Sequence, residues 1–90
     1  MKDELSCEEI TELILEYYND KLRPIVIFMN KKGKEIETKS GFSETWYNKF
    51  KNERENLGWE CLIKLVLALE LDYNDFFTLP QWFKDKYNIK

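Results

Sequence analysis

The stretch "KSGFSETWYNKFKN", residues 39–52, has the pattern of two helices joined by a tight turn. Gly41 can adopt the left-handed backbone conformation that a sharp helix exit needs, and Ser43 is suited to cap the helix that follows. Tyr47 and Phe50 are three residues apart, so they share one face of that helix and can dock it onto a core. The stretch therefore predicts a helix, a turn and a second helix with a buried aromatic face.

The opposite face of this second helix carries polar side chains. Glu44 stands at the helix start, and the outward positions are Thr45, Asn48, Lys49 and Asn52. Such side chains can contact base edges and phosphates. The DNA major groove is about as wide as one helix with its side chains. This helix is therefore a candidate DNA-reading element.

Charge is unevenly distributed along the 90 residues, whose total is −3. Residues 1–20 hold one Lys and seven Asp or Glu, a net of −6, and residues 55–90 have a net of −2. Residues 21–54 hold nine Lys or Arg and four Glu, a net of +5. Contact with phosphate requires local positive potential rather than a positive total. The basic block coincides with the two predicted helices, although a lysine-rich surface can also serve solubility alone.

An acidic helix is predicted ahead of this unit, at residues 7–19. Ser6 and Glu9 have the spacing of a capping box. Apolar residues at i, i+3, i+4 and i+7 predict a buried stripe of Ile10, Leu13, Ile14 and Tyr17. The other face carries Glu8, Glu9, Glu12 and Glu16 and offers a surface to a protein partner. Asn19-Asp20 is expected to end the helix.

Residues 24–38 are open to two interpretations. Local propensity favours a β-hairpin, with an Ile/Val/Phe run before a Lys-Lys-Gly turn. A helix that begins at Pro24 is the alternative. We favour the helix because the segment after it has the helix–turn–helix pattern.

Further helices are expected beyond a polar connection after residue 53. Apolar residues at 59, 62, 63, 66 and 69 give the clearest helical period in the chain. A brief helix follows a cap at Asp72, and a last helix is expected at 79–88. The prediction is one all-α domain over 1–90, a compact bundle of five to six short helices with the helix–turn–helix unit at 34–53.

From Lys34 to Phe77, about half of the chain, the sequence resembles without a gap the helix–turn–helix domain of phage-repressor-like (Xre/Cro-type) transcriptional regulators. The shared order begins with Glu35-Ile36, a turn at 40–43 and the bulky inward pair Tyr47 and Phe50. It continues with a polar loop, a leucine-rich helix ending in Ala68-Leu69, and an acidic turn before Phe76-Phe77. The resemblance implies a lambda-repressor-like fold and a small transcriptional regulator that binds double-stranded DNA, commonly as a dimer.

The resemblance also assigns expected DNA contacts residue by residue. Glu44 and Thr45 match base-reading positions, whereas Asn48 and Lys49 match nearby groove or backbone contacts. Asn52 matches a phosphate contact, and Ser43 can present backbone N–H groups to a phosphate. Lys31 and Arg54 are expected to extend the positive face around Lys49.

Three positions differ from common family residues. Gly33 stands where the family commonly has a phosphate-contacting Gln, and Glu37 stands where it commonly has Ala at a close helix crossing. Glu44 brings a negative charge towards DNA, although a carboxylate can accept a hydrogen bond from cytosine. These differences suit an alternative on the same fold, a protein-binding adaptor or a phage-type inhibitor that uses acidic side chains to imitate phosphates.

The C-terminal pair Trp82 and Phe83 is a candidate homodimer surface; closing the core is the alternative role. Enzyme activity is not expected, because the chain has no histidine and no phosphate-binding glycine loop. Cys7 and Cys61 match no metal or redox spacing, so no metal or cofactor is expected. No secretory signal or membrane-length apolar run is present, so we expect a cytoplasmic protein.

Overall fold

The computed structural model describes residues 5–89 and contains six α-helices, with no β-strand in that range. The helices are α1 (Cys7–Met29), α2 (Gly33–Ser40), α3 (Glu44–Asn52), α4 (Trp59–Ala68), α5 (Tyr73–Phe76) and α6 (Gln81–Lys86). The all-α prediction is confirmed. The alternative β-hairpin at 24–38 is wrong, because these residues form the end of α1, a short turn and most of α2.

Helix α1 begins as predicted and ends ten residues later than predicted. The Ser6 hydroxyl accepts from the Glu9 N–H at 3.1 Å, and the Glu9 carboxylate accepts from the Ser6 N–H at 2.9 Å, which completes the capping box. The hydrogen bond from the Ser6 N–H, with a smaller contribution from the Ser6 side chain, lowers the pKa of Glu9. The helix continues to Met29, and Asn30 ends it with a left-handed backbone (φ 49°).

The expected break at Asn19-Asp20 is wrong because the polar residues there make tertiary contacts. Asn19 is fully buried and hydrogen-bonds both backbone groups of Leu57 in the α3–α4 connection. Arg23 donates to the carbonyl of Phe50, at the end of α3. Pro24 lies inside α1 on its exposed side. One long helix therefore replaces the predicted pair.

The core face of α1 differs from the predicted one. The expected stripe of Ile10, Leu13, Ile14 and Tyr17 is only half-buried. The buried apolar residues are instead Tyr18, Leu22 and Val26, which recur every four residues. The sequence contains both periodicities, and packing against the later helices selects the second.

A hydrophobic core joins α1, α2, α3 and α4, with α1 and α2 each packed against α3 and α4. Its largest fully buried apolar side chains are Leu22, Val26, Ile36, Tyr47, Phe50, Leu62, Leu65 and Val66. Leu22 and Val26 come from the part of α1 that lies beyond the predicted break. The extension of α1 therefore supplies the surface on which α3 rests.

The C-terminal helices α5 and α6 pack against the aromatic residues Tyr18 and Tyr17 of α1. The Asp72 carboxylate accepts from the Asp75 N–H at 3.1 Å, which confirms the predicted cap of α5. Phe83 of α6 is 4% exposed, and its ring centroid lies 4.9 Å from that of Tyr17. Phe83 is therefore a core residue, and only Trp82 of the predicted dimer pair is at the surface, with 59% exposure.

Candidate nucleic-acid interface

Helices α2 and α3 pack against each other and are joined by a three-residue turn, residues 41–43. Gly41 has the left-handed conformation predicted for it (φ 75°), and its N–H donates to the carbonyl of Glu37 at 2.8 Å. The Ser43 hydroxyl accepts from the Trp46 N–H at 3.5 Å, so Ser43 is the N-cap of α3. The turn chemistry predicted for this segment is confirmed.

The inward face of α3 consists of the two predicted aromatics. Tyr47 and Phe50 are both 0% exposed. The Tyr47 hydroxyl also donates to the carbonyl of Lys31 at 2.8 Å. Burial raises the pKa of Tyr47, and the negative charge of Glu35 adds to the effect, so the phenol is protonated at neutral pH and remains a donor. These contacts fix the rotation of α3 about its own axis.

The outward face of α3 brings four predicted site residues together. Thr45, Asn48 and Asn52 are exposed, and Lys49 is half-buried. At about 100° per residue these four positions fall within an arc of about 100°. The Lys49 ammonium lies 5.1 Å from the centroid of the Trp46 ring, and Trp46 is itself 45% exposed. The face is thus a strip of hydroxyl, amide and ammonium groups beside an accessible indole.

The start of α3 is acidic. The Glu37 carboxylate accepts from the Glu44 N–H at 3.1 Å, so the side chain turns towards the helix N-terminus instead of obstructing the helix crossing. Glu44 lies over Gly33, since a Cβ at Gly33 would come within 2.7 Å of the Glu44 Cγ. The three positions that differ from the family pattern therefore lie close together.

Lys31 precedes α2 and Arg54 follows α3 in the chain. The Lys31 ammonium is 3.4 Å from the Glu35 carboxylate, which offsets part of its charge. Arg54 lies two residues beyond the end of α3, with a left-handed backbone (φ 58°). Both are outside α3 itself, and Lys31 is fixed to it through the Tyr47 hydroxyl.

Sequence reasoning missed two residues that position α3. The Lys51 ammonium donates to the Asn30 amide oxygen at 2.8 Å and lies 6.0 Å from the centroid of the Tyr47 ring. The Arg23 guanidinium lies 4.6 Å from the centroid of the Phe50 ring and donates to the carbonyls of Phe50 and Glu55. The only sequence signal for these two residues was the positive charge of residues 21–54. That signal did not distinguish residues that hold α3 in place from charges on the surface.

Two other kinds of site are not found in the described part of the chain. Residues 5–89 hold no group of three or more Cys, Asp or Glu placed to bind a metal ion. None of the helices in that range combines the length and hydropathy needed to cross a lipid bilayer.

Comparisons of the chain with protein-family models, curated proteins and solved structures found no match. Its function must therefore be inferred from the residues and geometry of this chain and from the resemblance of residues 34–77.

Proposed function

We propose that the protein is a small cytoplasmic transcriptional regulator of the phage-repressor-like type, which binds double-stranded DNA with α3 in the major groove. The observation that carries the proposal is the exposed strip of Thr45, Asn48, Lys49 and Asn52 on a helix whose reverse is fully buried. Preceded by α2 and a three-residue turn, such a helix has the form of a recognition helix.

The electrostatics support the same assignment in part. Lys49 and Asn52 lie towards the C-terminal half of α3, where Lys49 and Lys51 carry positive charge, whereas Arg54 beyond the helix is flanked by Glu53 and Glu55, which offset its charge. We assign phosphate contact to Lys49, Asn52 and Arg54, and base contact to Thr45 and Asn48.

A binding assay titrated with salt tests the assignment. We expect Lys49→Glu to weaken duplex binding on the order of tenfold and to reduce the salt slope by about one, because one phosphate contact is lost and a repulsion is added. Asn52→Ala is expected to weaken binding less, and equally for all sequences.

Lys64→Glu is the matched control, since Lys64 is an exposed lysine on α4 that pairs with Glu60 at 3.3 Å. If Lys49→Glu and Asn52→Ala both bind as tightly as this control, α3 is not the reading helix. Selection from a random DNA pool is a separate test. It would give the operator if one exists, and a two-fold symmetric operator would indicate a dimer.

The acidic start of α3 yields a second prediction. The positive end of a helix dipole and its exposed N–H groups favour phosphate, but here the Glu37 carboxylate occupies the Glu44 N–H. Glu37→Gln preserves a hydrogen-bond acceptor and removes the charge. We expect this variant to bind DNA several-fold more tightly in the same assay.

Glu8→Gln on α1 changes the net charge equally and is the control for Glu37→Gln. Equal effects of the two substitutions would mean that the start of α3 does not approach phosphate.

The carboxylates of Glu37 and Glu44 favour a second candidate function, that of a protein-binding adaptor or phosphate-imitating inhibitor. Glu37 and Glu44 meet at the start of α3, where a DNA reader of this type would contact phosphate. On α1, Glu8, Glu9, Glu12 and Glu16 are all exposed. Absence of duplex binding at low salt, together with binding to a basic protein that Glu44→Gln abolishes, would favour this function over DNA reading.

A further inference from the structure

Trp46 is an exposed aromatic residue on α3 that the proposed DNA contacts do not include. It is 45% exposed and occupies the third position of the helix. The other two tryptophans, Trp59 and Trp82, contact aromatic rings of α1. The ring of Trp46 instead contacts the Lys49 ammonium, which lies 5.1 Å from its centroid. Core packing therefore leaves nearly half of this side chain open to a ligand.

Trp46 borders the polar outward face of α3 on its basic side. At about 100° per residue, Trp46 lies about 60° from Lys49 around the helix axis. Glu44 borders the opposite edge of this face, next to Asn48. The indole is thus placed beside a cation rather than beside the Glu44 carboxylate.

The contacts of α3 fix where the indole stands. The Trp46 N–H donates to the Ser43 hydroxyl at 3.5 Å, which anchors the first turn of the helix. The next residue, Tyr47, is fully buried, so α3 cannot rotate to bury Trp46 as well. The Lys49 ammonium holds the ring through a cation–π contact. An apolar surface that is already ordered in this way loses little conformational entropy when it binds.

The chemistry of the indole selects its partner within a DNA groove. Tryptophan is among the side chains that most often anchor an interface. Of the groups that base edges present in the major groove, the thymine C5-methyl is the apolar one. The others are hydrogen-bond donors and acceptors, which the face of an aromatic ring does not match.

We propose that Trp46 is a specificity-determining residue, whose indole packs against the C5-methyl group of a thymine at a defined position of the operator. This inference rests on the proposed function, because it requires α3 to lie in the major groove. Lys49 and Trp46 then engage neighbouring groups of the DNA, a phosphate and a base. The lysine supplies charge attraction, and the tryptophan supplies preference for one base.

Replacing single thymines of the selected operator with deoxyuridine tests the contact, because it removes only the C5-methyl group. At the position that Trp46 contacts, the wild-type protein should bind the substituted duplex roughly fourfold more weakly, the value for one buried methyl-sized group. Trp46→Ala should bind the two duplexes equally. Loss of folding cannot produce this coupling between one side chain and one methyl group.

Variants of the protein give the second arm of the test. Trp46→Ala should weaken binding to the unsubstituted operator on the order of tenfold, as for an aromatic anchor. Trp46→Phe retains an aromatic ring and should retain a preference for thymine over deoxyuridine. Trp82→Ala is the matched control, since Trp82 is 59% exposed on α6 and contacts Tyr17 of α1. This control should bind both duplexes as the wild type does.

The outcomes separate this inference from the proposed function. If Lys49→Glu weakens binding but Trp46→Ala keeps every methyl effect of the wild type, α3 reads DNA and the role assigned to Trp46 is wrong. If circular dichroism shows Trp46→Ala unfolded, the deoxyuridine scan with wild-type protein decides, and the absence of any affected thymine overturns the inference. A wild type that binds no duplex overturns both proposals.

Discussion

Replacing Phe50 with alanine is expected to lower the free energy of unfolding by about 3–5 kcal/mol, the usual cost of truncating a fully buried phenylalanine. Phe50 is 0% exposed at the interface between α3 and α1. Its ring also carries the Arg23 guanidinium, 4.6 Å from the centroid. The substitution removes apolar burial and leaves a cavity beneath the polar face of α3. Since small domains are stable by only about 5–15 kcal/mol, much of the population should unfold at moderate temperature.

Chemical denaturation followed by tryptophan fluorescence measures this change. Phe28→Ala is a matched control, because it removes the same side chain from a position that is 89% exposed. The control should lose less than about 0.5 kcal/mol. Equal losses for the two variants would contradict the burial of Phe50 beneath α3.

Asn19→Ala is the second substitution with a large expected effect. The Asn19 side chain is fully buried; it accepts from the Leu57 N–H at 2.7 Å and donates to the Leu57 carbonyl at 3.0 Å and the Leu15 carbonyl at 2.9 Å. Alanine leaves the buried polar groups of Leu57 without these partners. Each unsatisfied group costs about 1–3 kcal/mol, so we expect a total loss of roughly 2–5 kcal/mol.

Amide hydrogen exchange distinguishes this mechanism from a general loss of packing. The Leu57 N–H should exchange faster in Asn19→Ala by more than the global destabilisation explains, since its acceptor is removed. Asn48→Ala, an exposed helical asparagine on α3, should change stability by less than about 0.5 kcal/mol. A stable Asn19→Ala variant with a protected Leu57 amide would show that the bonds to Asn19 do not hold the α3–α4 connection.

These two substitutions also bear on the proposed DNA interface. The direction in which Thr45, Asn48 and Asn52 point is set by the burial of Tyr47 and Phe50 on the reverse of α3. Arg23 and Asn19, both on α1, hold the end of α3 and the connection after it. The residues with the largest effects on stability are therefore the same ones that orient the candidate reading face.

Local chemistry made much of the fold predictable. The capping box at Ser6 and Glu9, the left-handed Gly41, and the caps at Ser43 and Asp72 depend on residues within four positions of one another. The aromatic pair three residues apart correctly predicted the buried face of α3 and, by exclusion, its exposed face.

The sequence predictions were wrong where two local patterns were equally strong, or where tertiary contacts overrode a local helix-ending signal. Helix α1 has two sets of regularly spaced apolar residues, one at 10, 13, 14 and 17 and the other at 18, 22 and 26. Only packing against α3 and α4 selects the second set as core. Asn19 and Pro24 are ordinary helix-ending signals, but here the contacts of Asn19 and Arg23 before Pro24 and the burial of Val26 after it stabilise the helix through Pro24. The turning of Glu37 to the start of α3 was likewise not visible in sequence, because its acceptor role depends on how α2 and α3 cross.

The sequence by itself determined the helical class, the caps and turn of the α2–α3 unit, and which side of α3 is polar, because these depend on short-range backbone and side-chain chemistry. Tertiary structure alone decided that α1 continues to Met29, that Phe83 belongs to the core, and that Phe28 stays at the surface. The reason is physical: burial is a property of the assembled helices, and a polar residue such as Asn19 ends a helix or joins a core according to the partners that folding brings to it.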